Sequence, residues 1–156
     1  PVIPGPAGQV YNEDINRLIQ RLHGEVLYLD PPYNTRQYCS NYHVLETIAR
    51  YDNPTLVGKT GLRNSAAQKS LFCSKKTVLD AFEALIAQAQ FQYIFLSYNN
   101  EGLMSLPDIK RIMSKYGVYS VYTQTEYKRF QADREENRRI AAKSTTEYLH
   151  CLQKEL

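Results

Sequence analysis

The sequence has no tryptophan, only seven glycines and only three cysteines among 156 residues. No apolar run approaches the roughly 20 residues that a membrane-spanning helix requires, so no such helix is expected within this sequence. The opening Pro1-Val2-Ile3-Pro4-Gly5-Pro6 has neither a basic n-region nor an apolar h-region, and does not read as a signal peptide. It also lacks a starting methionine, so the chain reads as a fragment or a processed piece. Cys39, Cys73 and Cys151 are odd in number and lack metal-ligand spacing, which suggests free thiols in a reducing cytoplasm and no metal site. There are no internal repeats and no low-complexity segment. The net charge of +3 and pI near 8.8 are mildly basic, compatible with nucleic acid without implying it. At this length the chain is one domain with a sizeable core.

Among the thirteen tyrosines, one sits in the stretch that organises the rest. Val26-Leu27-Tyr28-Leu29 is a short apolar run that stops at Asp30-Pro31-Pro32-Tyr33-Asn34. The run predicts a buried strand, and the prolines predict a rigid turn after it. Each proline fixes its own φ and drives the residue before it into an extended conformation. Prolines also carry no N–H, so Pro31 and Pro32 offer no competing donors. What remains is a fixed row of acceptors, the Asp30 carboxylate and the Pro31 carbonyl, beside the aromatic plane of Tyr33. An exocyclic amino group on a planar base fits that row. Its two N–H bonds meet the two acceptors and its ring stacks on the tyrosine. Its lone pair is delocalised into the ring, and accepting both N–H bonds lets the nitrogen become tetrahedral as it attacks an electrophile. Such a base must be flipped out of a duplex to reach the turn. The tetrapeptide alone also fits a plain strand-ending turn.

In chain order, residues 1–8 read as a linker and Gly8 to Asn12 as a short strand. Ile15, Leu18, Ile19 and Leu22 form a helical stripe, with Asp14 in its first turn and Gly24 as its C-terminal cap. A second helix is expected from about Ser40 to Tyr51, with Val44, Leu45 and Ile48 inward. Asp52 to Ser74 reads as a long surface loop. Lys76 to Gln90 is a strongly amphipathic helix capped by Ser74, followed by a buried strand from Gln92 to Ser97. That strand is expected parallel to 26–29 through a βαβ crossover. Ser105-Leu106-Pro107-Asp108 carries the cap, proline and acid of a helix start. The chain ends in two strands, Val118 to Thr125 and Thr146 to Leu152.

Four motifs together carry a family resemblance. They are Asp30 to Tyr38, the continuation Asn41 to Ile48, Ser97-Tyr98-Asn99, and Thr146-Glu147-Tyr148-Leu149. With them the chain, from about residue 8 onward, resembles the D12 class (Dam-type) of adenine-specific DNA N6-methyltransferases. The resemblance implies an α/β fold, a Rossmann-like class I methyltransferase sheet in a three-layer αβα arrangement, present here in part. It implies methyl transfer from S-adenosylmethionine to a flipped-out adenine of double-stranded DNA, with Asp30, Pro31, Pro32 and Tyr33 catalytic. It assigns donor contacts to Asp14, Ile15 and Asp30. Ile15 departs from the aromatic often found after this acid, and a plain helix-dipole carboxylate also accounts for Asp14. Asn34, Arg36 and Tyr38 lie in a polar loop placed to close over a flipped base or a DNA phosphate; Arg36 reads either as a bidentate phosphate contact or as a solvated loop arginine. Lys128 and Arg129 open a basic segment that reads either as a DNA-contacting hairpin tip or as a solvated loop. Ser97 and Asn99 read as pocket residues or as turn formers.

The family needs a Phe-x-Gly-x-Gly turn to approach the donor's methionine part, and none of the seven glycines falls in that arrangement. In the D12 class that turn and the target-recognition region precede Asp-Pro-Pro-Tyr. Residues 9–156 therefore read as the C-terminal part of such an enzyme. Strand 26–29 then becomes an edge that pairs with the missing half or with a second copy. Other readings stay open: an enzyme acting on cytosine N4, RNA adenine or a glutamine amide, or a non-catalytic DNA-binding remnant.

Overall fold

A computed structural model of the chain describes residue 5, residues 7–128 and residues 144–155, with the side chain of Lys128 outside that description. Its main sheet has strands β1 (His23–Leu29), β4 (Gln90–Asn99), β6 (Ser144–Gln153) and β5 (Val118–Lys128), side by side in that order. A small hairpin pairs β2 (Leu56–Val57) with β3 (Leu62–Arg63). The expected parallel pair is present, with Leu27 opposite Ile94 and Leu29 opposite Leu96. The chain then reverses. β6 runs antiparallel to both β4 and β5 and lies between them. The result is a mixed α/β fold with a mixed sheet.

One face of this sheet is packed. α4 (Val78–Gln88) buries Val78, Ala81, Phe82, Leu85 and Ile86, and α5 (Leu106–Met113) buries Ile109, Ile112 and Met113. These meet Ile94, Leu96, Tyr98 and Leu152 of the sheet in a single core. The apolar stripes read from the sequence supply both helices, because side chains at i, i+4 and i+7 share a face. α5 opens as expected: the Asp108 N–H donates to Ser105 Oγ, the Ser105 hydroxyl donates back to Asp108 Oδ2, and Pro107 sits in the first turn. α4 does not start on a serine side chain. Thr77 is its cap residue, and Ser74 contributes only its carbonyl, to the Val78 N–H. Its other end is held by Lys154, whose ammonium donates to the carbonyls of Ile86, Ala87 and Ala89.

The opposite face of the sheet is open among the described residues. Val26 and Tyr28 on β1 are 57% and 60% exposed, while Leu29 on the other face is buried. The strand expected to be buried is thus buried on one side only. It is also the sheet edge among the described residues. The helices α4 and α5 share one side, so the described residues supply two of the three expected layers.

Several local expectations need correction. Residues 8–12 form no strand, because no strand lies beside them to complete a ladder. The first helix is short: α1 (Ile15–Leu18) tightens into a 3-10 turn, Ile19–Arg21, and Leu22 is already extended. Gly24 is therefore no helix cap. It lies within β1, where a Cβ would meet the Phe91 ring at 3.1 Å. The second helix breaks at Tyr42 into α2 (Tyr38–Asn41) and α3 (His43–Arg50). Val44, Leu45 and Ile48 point to solvent, not to the core. The 52–74 stretch contains the β2–β3 hairpin and two 3-10 turns, Ala66–Gln68 and Leu71–Cys73, with Phe72 and Cys73 buried.

Candidate active site

Parallel strands end their ladders together, and open α/β sheets place ligands outside those ends. Here the end of β1 delivers Asp30, Pro31 and Pro32 onto the wall of a cleft of about 860 Å³. That is within the range of small-molecule sites. Asp14 and Ile15 line the same cleft, so the structure brings together every residue expected to hold the donor. Asp14 is the N-cap of α1, not a first-turn residue, and its Oδ1 accepts from the Asn16 N–H at 3.0 Å. Leu29, Phe72, Phe82 and Leu85 give the cleft an apolar floor.

Tyr33 lies apart from the other three residues of the turn and is not on the cleft wall. Its hydroxyl donates to Asp30 Oδ1 at 2.8 Å, and its ring packs edge-on against Tyr98 with centroids 5.4 Å apart. Partial burial, followed by the hydrogen bond to Asp30 and that group's charge, raises its phenol well above the usual tyrosine range. It therefore stays a donor to the carboxylate at any physiological pH. Ser97 and Glu147 act on the same hydroxyl more weakly. Asp30 thus stands between the cleft on one side and the Tyr33–Ser97–Glu147 side on the other.

The neighbouring turn is locked to this one. The Leu103 N–H donates to the Tyr33 carbonyl at 2.9 Å, and the Met104 N–H donates to the buried Tyr98 hydroxyl at 3.3 Å. Gly102 is required here for space: a Cβ at that position would lie 2.1 Å from the Tyr98 ring. Asn99 Oδ1 accepts from the Glu101 N–H, which realises the turn-forming reading of that residue.

Of the residues expected to touch DNA, Asn34 turns its side chain inward on its own loop, where Oδ1 accepts from the Arg36 N–H at 2.9 Å. Arg36 is exposed. Tyr38 lies on the cleft wall, edge-on to Tyr42 at 5.7 Å. Burial, and then the charge of Asp30, raise its phenol. Lys128 is the last residue of β5, and Arg129 lies outside the described residues.

Sequence reasoning missed a second wall of the cleft, made by Tyr38, Tyr42, Glu46 and Arg50. They recur every fourth residue, a spacing that puts Glu46 and Arg50 on nearly one face of α3, with Tyr42 at its start and Tyr38 on α2 before the break. The signal was present but overshadowed by the apolar stripe of the same segment. Gln37 was also missed. Its side chain accepts from the Ser70 N–H and donates to the Ser70 carbonyl, tying the loop after the Asp30 turn to the 66–73 segment. Among the described residues no group of three or more acids, histidines or cysteines could hold a metal ion. No helix of the described residues is long and apolar enough to cross a membrane.

A proline-stiffened acid turn at the end of a parallel strand, on the wall of a cleft that Asp14 also lines, is where open α/β sheets place their ligands. Comparison with known sequences makes this more specific. Residues 6–114 match the profile of the D12 class N6 adenine-specific DNA methyltransferases, and the chain belongs to that family. It is 57% identical over 146 residues to the type II methyltransferase M.NlaIII of Neisseria lactamica, covering 94% of this chain and 43% of that protein. It is 44% identical over 153 residues to the type II methyltransferase M.FokI of Planomicrobium okeanokoites, covering 96% of this chain and 23% of that one. The modification methylase StsI of Streptococcus sanguinis is 38% identical over 126 residues. The chain thus spans less than half the length of these relatives. No solved structure matches.

Proposed function

We infer that this chain carries the catalytic turn and the C-terminal sheet of a DNA methyltransferase that acts on adenine N6 and uses S-adenosylmethionine. The observation that carries this reading is the placement of Asp14, Ile15, Asp30, Pro31 and Pro32 on one cleft at the end of β1. The cleft suits the donor in volume and in acids. Asp14 and Ile15 would hold its adenine, with Asp30 beside its reactive end. The donor supplies a methyl group on a positively charged sulfur, which departs with its bonding pair as the methyl carbon is attacked. The cleft wall includes no glycine, so the close backbone approach that the family's glycine turn provides must come from further polypeptide.

The chain's own residues act on the acceptor. Asp30 Oδ1 and the Pro31 carbonyl accept the two N6–H bonds of the base. This draws the nitrogen lone pair out of the ring and aims it at the electrophile. Tyr33 now donates to Asp30 Oδ1, so the incoming amine takes over that acceptor and the Tyr33 ring is released to lie along the base. The N6 proton lost after transfer passes through Asp30 to solvent. Arg36, Tyr38, Lys128 and Arg129, together with the backbone at Asn34, are the proposed contacts to duplex DNA. The free edge of β1 is the proposed seam to the rest of the enzyme or to a second copy. The reaction belongs in the cytoplasm, with the DNA.

Calorimetry of S-adenosylmethionine binding tests the donor site, with Asp14→Ala as the control expected to abolish binding. A methyl-transfer assay then tests the acceptor, with the missing part of the enzyme supplied and the product digested to nucleosides. The expected product is N6-methyladenosine in its deoxy form. Methyl label on cytosine, or transfer that survives Asp30→Ala, would overturn the reading.

A further inference from the structure

α3 is mounted inside out. Glu46 and Arg50, with Tyr42 at the helix start, line the cleft, and Thr47 accepts from Arg63, which is itself bidentate to Asp52. The polar side of the helix is thus turned to the cleft and tied at Thr47 to the β2–β3 hairpin. Its apolar side is not: Val44, Leu45 and Ile48 are 57%, 62% and 67% exposed. Leu56 and Val57 on β2, paired to the strand that α3 packs against, are exposed as well. Scattered apolar residues on a surface need no explanation, but a continuous stripe on one helix marks an interaction site.

Two observations indicate what covers it. The relatives are far longer than the region matched, since 94% of this chain corresponds to only 43% of M.NlaIII. The open sheet face at Val26 and Tyr28 borders the same cleft from the other side, because Tyr28 also lines it. Polypeptide of the kind these relatives carry outside the matched region would supply cover for both the α3 stripe and the open sheet face. An isologous dimer through α3 would leave the sheet face bare.

We propose that the Val44–Leu45–Ile48 stripe of α3 is the docking surface for the polypeptide that these relatives carry outside the matched region. This is an additional seam to the β1 edge and rests on family membership, not on methyl transfer. Cysteine footprinting tests it without any activity readout. Leu45→Cys, Ile48→Cys and, as a solvent control, Lys110→Cys are labelled with a maleimide and located by peptide mass. Each is made in this chain alone and in a longer polypeptide where this chain replaces the matched region of M.NlaIII. Labelling at 45 and 48 is expected to fall at least tenfold in the longer polypeptide, with position 110 unchanged. Equal labelling in both settings overturns the proposal. So does concentration-dependent protection in the isolated chain, which would assign the stripe to a second copy. If the longer polypeptide fails to fold, overlapping peptides from the rest of M.NlaIII are titrated into the isolated chain. At least one must bind, and Leu45→Glu must weaken it at least tenfold; absence of such a peptide overturns the proposal.

Discussion

Acidification should loosen the far half of the sheet through one residue, His150. Its side chain is 1% exposed on β6, opposite Leu96 of β4. The Tyr119 hydroxyl and His150 Nδ1 are 2.9 Å apart, and the Tyr119 and Tyr148 rings flank the imidazole. Nδ1 accepts from the phenol or donates to its oxygen according to the tautomer, so this bond survives in the neutral ring either way, and it is burial that opposes the charged form. Burial pushes the imidazole from 6.5 down to about 4. The folded state therefore holds the neutral form, and its contribution is complete above pH 6.5. It is lost as pH falls from 6.5 through 4. A difference of that size corresponds to about 3 kcal/mol of folding stability, at about 1.4 kcal/mol per pH unit. Two measurements check this. An NMR titration of the three histidines should show one ring still neutral at pH 5. Urea unfolding between pH 7.5 and 4.5 should show a decline that is shallower in His150→Gln, whose amide oxygen still accepts from Tyr119. A His150 ring that titrates near 6.5, or equal pH slopes in the two proteins, would refute the argument.

Three further outcomes follow from the geometry. Gly102→Ala drives a Cβ to within 2.1 Å of the fully buried Tyr98 ring. Overpacking of this kind costs about 1–3 kcal/mol, so a clearly lowered melting temperature is expected, and an unchanged one would show that the turn yields freely. Lys154→Met removes the donor to three carbonyls at the end of α4. With net hydrogen-bond contributions of about 0.5–1.5 kcal/mol each, and more for charged donors, denaturation should show a loss of about 1–3 kcal/mol. Tyr33→Phe keeps the ring against Tyr98 but frees Asp30 Oδ1. Stability should fall by no more than about 1.5 kcal/mol, and in the assembled enzyme methyl transfer should persist, whereas Tyr33→Leu should lose it.

Much of the site was legible because its chemistry is local. Two prolines restrict the backbone around Asp30 whatever packs nearby, so the acceptor row could be read from four residues. The same holds for the Ser105–Asp108 start of α5 and the apolar stripe of α4, which depend on neighbours within a turn or two. Asp14 and Asp30 were assigned to one site through resemblance, and it took the fold to set both on one cleft. Tyr33 was expected beside the acceptors and is found hydrogen-bonded to one of them, turned away from the cleft.

The sequence by itself determined which segments are amphipathic, where the chain must turn, and which family it joins. Tertiary structure alone decided which side of each segment faces inward. Periodicity shows that two faces of a helix differ. It does not say which one the protein covers, because that depends on what else is present to bury apolar area. α4 turned its stripe to the sheet. α3 turned its own stripe outward, and its Glu46 and Arg50 joined Tyr38 of α2 and Tyr42 at the break between the helices on the cleft wall. The insertion of β6 between β4 and β5 was likewise beyond local reading. β5 and β6 are neighbours in sequence, but β6 meets β4 through residues more than forty positions apart, such as Leu96 and His150, and no short window of sequence contains both partners.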